Sequence, residues 1–162
     1  MDGVFKLLNI SYKKEMKTIK ENVIAQIVEK KSKFIANLCY VNSVEEAETI
    51  LKQIRKQHYD ARHHCYAYRI EEKERTIEKA SDDGEPSGTA GSPMLNLLQK
   101  QELTNVIVVV TRYFGGILLG TGGLVRAYTQ CAKNAIDNAS VVEQEKRSRS
   151  KSNSILSNFR TI

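Results

Sequence analysis

The sequence predicts an α+β two-layer sandwich, with helices packed on one face of a mixed sheet. Three observations predict it. Val- and Ile-rich stretches alternate as paired strands do, three other stretches carry apolar residues at helical spacing, and the resulting order is β-β-α-β-β-α-β-α. The chain has 162 residues, 41% hydrophobic and 27% charged, enough for one domain with a core. No internal repeat is present.

The segment "NVIAQIVEKKSKFIANLCYV" reads as two strands, about 22–28 and 33–41, joined by a turn at Lys30 to Lys33. Ser43, followed three residues later by Glu46, is a capping box. Val44, Ala47, Ile50, Leu51 and Ile54 then share one helical face, and that helix ends near His58. "HHCYAYRI" and "ERTIEKAS" make a second strand pair around the charged turn "EEKE". A polar loop, "SDDGEPSGTAGSP", leads into a short helix, "MLNLLQK", with Ser92 as its N-cap and Pro93 at its first position. "NVIVVV", residues 105–110, is a continuous apolar run and predicts a strand buried on both faces. From Leu124 the apolar set Leu124, Tyr128, Cys131, Ala135 and Ile136 predicts a helix to about Asn138. Residues 16–140 are thus expected to form the domain. Residues 1–15 are expected to be a disordered leader, with Met16 read as a second start, and 141–162 a basic disordered tail.

Composition narrows the function. No apolar run reaches the roughly 18 residues of a membrane span, and the first fifteen residues lack a signal-peptide pattern. Three widely spaced cysteines, Cys39, Cys65 and Cys131, include no CxxC pair, which argues for free thiols in a reducing cytoplasm. The net charge is +6, but residues 16–140 hold 17 basic against 15 acidic side chains, so a basic surface on the domain requires local clustering.

Eight of the nine glycines lie in two segments, each feeding a helix start. Glycine permits positive φ and close approach of another molecule, and a helix start presents unpaired N–H groups. Together they make an anion site, and an arginine adds a bidentate donor. In "RYFGGILLGTGGLVRAY" the candidates are Arg112, Gly115, Gly116, Gly120, Gly122, Gly123 and Arg126. In the upstream loop they are Asp83, Gly84, Ser87, Gly88 and Thr89. "GGILLGTGG" lacks the following lysine of a P-loop, and its GGxxxGxGG spacing near the end of the domain is a weak match to a dinucleotide fingerprint. The competing reading is structural: tight strand-to-helix crossings and close helix–sheet packing.

Other residues carry weaker signals. His63 and Cys65 share a strand face without a third ligand in reach, so packing is favoured over zinc. Asp82, Asp83 and Glu85 are candidates for acid–base or metal chemistry, or for a solvated loop of Asx turns. Tyr66 and Tyr68 fit base stacking or core. Lys30, Lys31 and Lys33 fit phosphate contacts or a charged hairpin tip.

The segments "ARHHCYAYRI", "SDDGEPSGTAGSPML" and "VIVVVTRYFGGILLGTGGLVRAY" resemble, in this order, the hallmark segments of the YigZ/IMPACT family. The resemblance covers about residues 17–140. It implies the ribosomal-protein domain-2-like superfold with a left-handed βαβ crossover, shared with elongation factors and GHMP kinases. It also implies a link to translation, since eukaryotic members are tied to control of initiation under amino-acid starvation. The family continues past Val142 into a ferredoxin-like module, where this chain carries "KRSRSKSNSILSNFRTI".

Three functions remain open on this reading. One is a nucleic-acid- or ribosome-associated module of translation control, partnered by RNA, a ribosome or a translation-associated protein, without membrane, metal or cofactor. The second is an enzyme for a phosphorylated or anionic small molecule held between loops 82–91 and 115–123, with Asp82 or Asp83 as base or metal ligand. The third is an interaction scaffold whose glycines are purely structural. The oligomeric state is not legible.

Overall fold

The apolar run near residue 108 becomes the centre of a sheet. The computed structural model describes residues 15–145. The elements are β1 (Glu15–Ile19), β2 (Val23–Glu29), β3 (Ser32–Tyr40), α1 (Val44–Gln57), β4 (His63–Glu72), β5 (Arg75–Ser81), α2 (Gly91–Lys100), β6 (Val106–Tyr113), α3 (Gly120–Asp137) and β7 (Val141–Glu145). Five strands form one sheet in the order β2-β3-β6-β4-β5, and every neighbouring pair is antiparallel. The sheet is therefore not mixed. Periodicity identified the strands, but β6 inserts between β3 and β4 and runs against both, which no local pattern encodes.

The sheet is also covered on both faces, which corrects the two-layer expectation with helices on one face. Along β4, Cys65 and Ala67 face the core shared with α2 and α3, while Tyr66 and Tyr68 face the one shared with α1. Successive side chains alternate across a strand, so a strand buried throughout needs a layer on each side. On one side α1 contributes Ala47, Leu51 and Ile54, each large aliphatic side chain worth about 1.5–3 kcal/mol of burial. Its start is capped as expected, with the Glu46 N–H donating to Ser43 Oγ at 3.1 Å. The Glu46 carboxylate reaches back one residue further than a capping box requires, to the N–H of Asn42. On the other side α2 and α3 bury Met94, Leu98, Tyr128 and Ala135 against Phe34, Leu38 and Val108.

The connections have a consequence for handedness. β3 and β4 both run against β6, so they are parallel to each other, and β5 and β6 are parallel for the same reason. α1 bridges β3 to β4 over one face, and α2 bridges β5 to β6 over the other. The two bridges cross the sheet in opposite directions, from strands of opposite sense, on opposite faces. Three reversals give them opposite hands, so one of the two is left-handed, against the usual rule.

β7 corrects the expected boundary of the tail. Val141–Glu145 pairs antiparallel with β1, from Glu15↔Glu145 to Ile19↔Val141. Its side chains are half-buried at best, so the segment shows no core pattern, and its partner lies at the other end of the sequence. The ribbon is tied to the sheet by the Thr104 N–H donating to the Lys17 carbonyl at 2.9 Å. The remaining expectations for the leader and tail, residues 1–14 and 146–162, lie outside the described residues.

Candidate functional site

Both glycine segments lie at the same end of the sheet, opposite the β1–β7 ribbon. The β2–β3 turn, the start of β4 and the end of β6 meet there, because His63 pairs with Arg112 and Lys33 with Tyr113. Gly115 seals the corner. A Cβ on it would stand 2.0 Å from the Lys31 carbonyl oxygen, so only glycine lets the two turns touch. Its N–H donates to Ser32 Oγ at 3.1 Å.

Arg112 is buried within this corner, 6% exposed. Its Nη1 donates to both carboxylate oxygens of Glu85, at 3.1 and 2.9 Å, and Nη2 donates to Ser32 Oγ at 3.2 Å. The guanidinium lies 5.6 Å from the ring centre of Phe34 and 5.5 Å from that of Phe114. The Tyr128 hydroxyl also donates to Glu85. Burial first, then the neighbouring Cys65, push the Tyr128 phenol far above its ordinary value, so it stays protonated and remains a donor. His63 Nε2 approaches Glu85 from β4, at 3.8 Å. One carboxylate from the upstream loop thus neutralises Arg112 and ties it to α3 and β4. The charge of Arg112 is spent inside the fold.

The upstream loop supplies its own anion. The N–H groups of Gly88, Ala90 and Gly91 donate to the Asp82 carboxylate at 2.8, 3.0 and 2.8 Å. Burial alone would raise the Asp82 pKa, but these three amides outweigh it and hold the group below its ordinary value. α2 accordingly starts at Gly91 with Ala90 in the N-cap position, and Ser92 falls inside the helix. Asp83 is likewise engaged. Its Oδ2 accepts from the His64 N–H at 2.7 Å, its carbonyl lies 2.9 Å from His63 Nδ1, and Arg55 stands 3.4 Å from Oδ1. Thr89 is buried and its hydroxyl donates to the Pro86 carbonyl. Gly84, Ser87 and Gly88 remain exposed on the outside of the loop.

The start of α3 is different. The helix begins at Gly120, four residues before the expected Leu124, so Gly120, Gly122 and Gly123 form its first turn. Leu119 occupies the N-cap position, no side chain caps the turn, and no acid lies in it. Gly116, Gly120 and Gly122 are exposed. Arg126, one helical turn on, folds back so that Nη1 lies 3.5 Å from the place a Gly122 Cβ would take. Both glycine segments open helices, but the anion already seated at α2 has no counterpart at α3 among the described residues.

The rest of this end of the domain was only partly anticipated. Lys30, Lys31, Lys33, Lys56, Arg62 and Arg126 are all exposed on this end of the domain. Two exposed rings stand among them, Tyr59 at 83% and Phe114 at 49%, with Leu118 at 81%. Lys33 Nζ lies 5.7 Å from the Tyr113 ring centre, and Tyr113 joins His58 at 2.9 Å and donates to Asp60 at 3.0 Å. Phe114 and Tyr59 were missed because single aromatics beside a loop carry no periodic signal. Tyr66 and Tyr68 are instead buried under α1, their rings stacked 6.2 Å apart. His64 is buried against Thr111 Oγ1 at 3.0 Å, and burial lowers its pKa, partly offset by Asp83. Cys65 is buried too, and burial keeps it a thiol.

Residues 30–136 match the family model described as the Impact N-terminal domain. The IMPACT family member YvyE of Bacillus subtilis is 49% identical over 128 residues, 79% of this chain and 58% of that protein. The IMPACT family member YigZ of Escherichia coli is 49% identical over 100 residues, 61% of this chain and 49% of that protein. The chain spans about half the length of the curated relatives it matches. A crystal structure described as that of a hypothetical protein superposes with a TM-score of 0.74 at 38% identity, covering 81% of this chain and 64% of that one.

Proposed function

The chain belongs to the family defined by the Impact N-terminal domain, and from that premise we propose that it is an RNA- or ribosome-associated module of translation control. The observation that carries this reading is the meeting, at one end of the sheet, of the uncapped α3 start, six exposed cations and the exposed rings of Tyr59 and Phe114. Amides at a helix start and guanidinium groups take phosphate, and exposed rings take bases. Arg126 with Gly120, Gly122 and Gly123 is the phosphate seat. Arg112 and Glu85 hold it in shape from beneath. The sheet, with one left-handed crossover, is read as the ribosomal-protein domain-2-like superfold, and the setting as cytoplasmic. Among the described residues no helix is long and apolar enough to cross a membrane.

The small-molecule enzyme reading has less support. Asp82 is bonded to three backbone amides, and Asp83 to the His64 N–H and Arg55, so neither is free to act as a base.

The test is RNA binding and ribosome co-sedimentation of the full chain at low and moderate salt. Binding should fall steeply with salt. Arg126→Ala should weaken it about five- to tenfold and reduce the salt slope by about one phosphate contact. Phe114→Ala should weaken it about tenfold without changing the slope. No binding at low salt, or binding that vanishes only when residues 146–162 are removed, sinks the proposal.

A further inference from the structure

The loop between β6 and α3 ends in an apolar tip. Phe114, Ile117 and Leu118 are 49%, 42% and 81% exposed. The tip is pinned at both ends. Gly115 is locked against Lys31 and bonded to Ser32, and Leu119 packs on the core. Gly116 and Gly120 take φ of 93° and 77°, which glycine adopts without strain, and they turn the chain on either side of Ile117 and Leu118. Phe114 rests on the buried Arg112 guanidinium, 5.5 Å from its ring centre, so the ring is braced from beneath. Two exposed cations flank the tip: Lys31 beside Gly115, and Arg126 beside Gly122. No Asp or Glu occurs between Glu102 and Asp137, so the segment itself brings no charge that repels phosphate.

Resting on the RNA reading above, we infer that this tip selects RNA with unpaired bases over duplex RNA. In a duplex the base faces are stacked on each other, the major groove is too deep and narrow for side chains, and the minor groove presents hydroxyls. A projecting Leu118 and a half-exposed Phe114 would there meet phosphates and 2′-hydroxyls, and would strip water from them without a compensating bond. Unpaired bases offer free apolar faces to the ring and the tip, and leave their flanking phosphates to Lys31 and Arg126. Because the tip is already fixed, little ordering is needed before stacking. Charge alone gives the opposite preference, since a duplex is the denser anion, with one negative charge per about 1.7 Å of helix axis in double-stranded DNA. The apolar and ionic contributions can therefore be told apart.

Fluorescence anisotropy of the full chain at one moderate salt concentration tests this. It compares an unstructured RNA strand of about twelve nucleotides with the blunt duplex it forms with its complement. The single strand is expected to bind about tenfold tighter. Phe114→Ala weakens its binding about tenfold and Leu118→Ser about fivefold, and neither changes duplex binding, so the preference collapses. Leu118 is 81% exposed, so Leu118→Ser leaves thermal unfolding unchanged and carries the test even where Phe114→Ala disturbs the packing beneath it. The chain has no tryptophan, so Phe114→Trp places a lone reporter whose emission the single strand quenches and the duplex does not. Equal or tighter duplex binding, or a preference indifferent to Leu118→Ser, overturns the inference and leaves RNA association standing. Absence of binding to either RNA fails that association, and this inference with it. Should Leu118→Ser release the chain from phosphatidylserine-containing vesicles with RNA binding unchanged, the tip belongs to a membrane surface and the inference is overturned.

Discussion

Glu85 shows how much one buried side chain sets. It accepts from Arg112 and Tyr128 and faces His63, so three elements converge on a loop with little secondary structure of its own. Removing one partner of a buried pair leaves the other charge stranded. Glu85→Ala is therefore expected to cost about 3–5 kcal/mol, read as a lowered urea midpoint, with Glu85→Gln less damaging because it keeps the shape and an acceptor for Tyr128. Arg112→Ala should behave like Glu85→Ala, which makes it a probe of the fold and not of binding. The sequence placed Arg112 correctly at the end of a strand beside glycines. It could not show that the guanidinium was already paired, because Glu85 lies 27 residues away on another loop. Arg126 was legible for the opposite reason: its relation to Gly122 is a local helical one.

At the scale of elements, α2 and α3 begin in the same kind of sequence and end up in different electrostatic states. α2 has a resident carboxylate, Asp82, set nine residues before the helix's first residue. A cap at that distance follows from loop closure and not from a local motif, so Ser92 drew attention instead. Asp82→Ala is expected to destabilise the domain by about 1–2 kcal/mol. The sign of the pH effect follows from the lowered native pKa. The carboxylate's contribution is present above its ordinary value of 3.8 and is lost as pH falls through the lower native value. Urea midpoints measured on the acid side should fall more steeply for wild type than for Asp82→Asn, which has no charge to lose. The early start of α3 was hidden because three glycines in four residues look like loop, although a helix tolerates them where Arg126 and Leu119 need room to pack over the backbone.

At the scale of the whole molecule, element identity was legible and element adjacency was not. Hydrophobic period marked five strands and three helices, because each must bury a face. The position of β6 between β3 and β4, the second layer and the β1–β7 ribbon all depend on contacts between distant segments; β7 is too exposed to leave an apolar trace, and β1 buries only Thr18 and Ile19, too few to show a period. That ribbon holds Glu15 beside Glu145, at the far end from Arg126. Whatever precedes the first or follows the second departs from one spot, like two wires leaving a single plug. The domain can therefore be inserted into another polypeptide without stretching it, and its cyclic order can be cut elsewhere. A permutant joined across the ribbon and reopened at the exposed Lys73–Glu74 turn should keep the parent's circular dichroism spectrum and cooperative unfolding. Loss of cooperativity would mean that the ribbon is a clasp the fold depends on, and not merely its hinge pin.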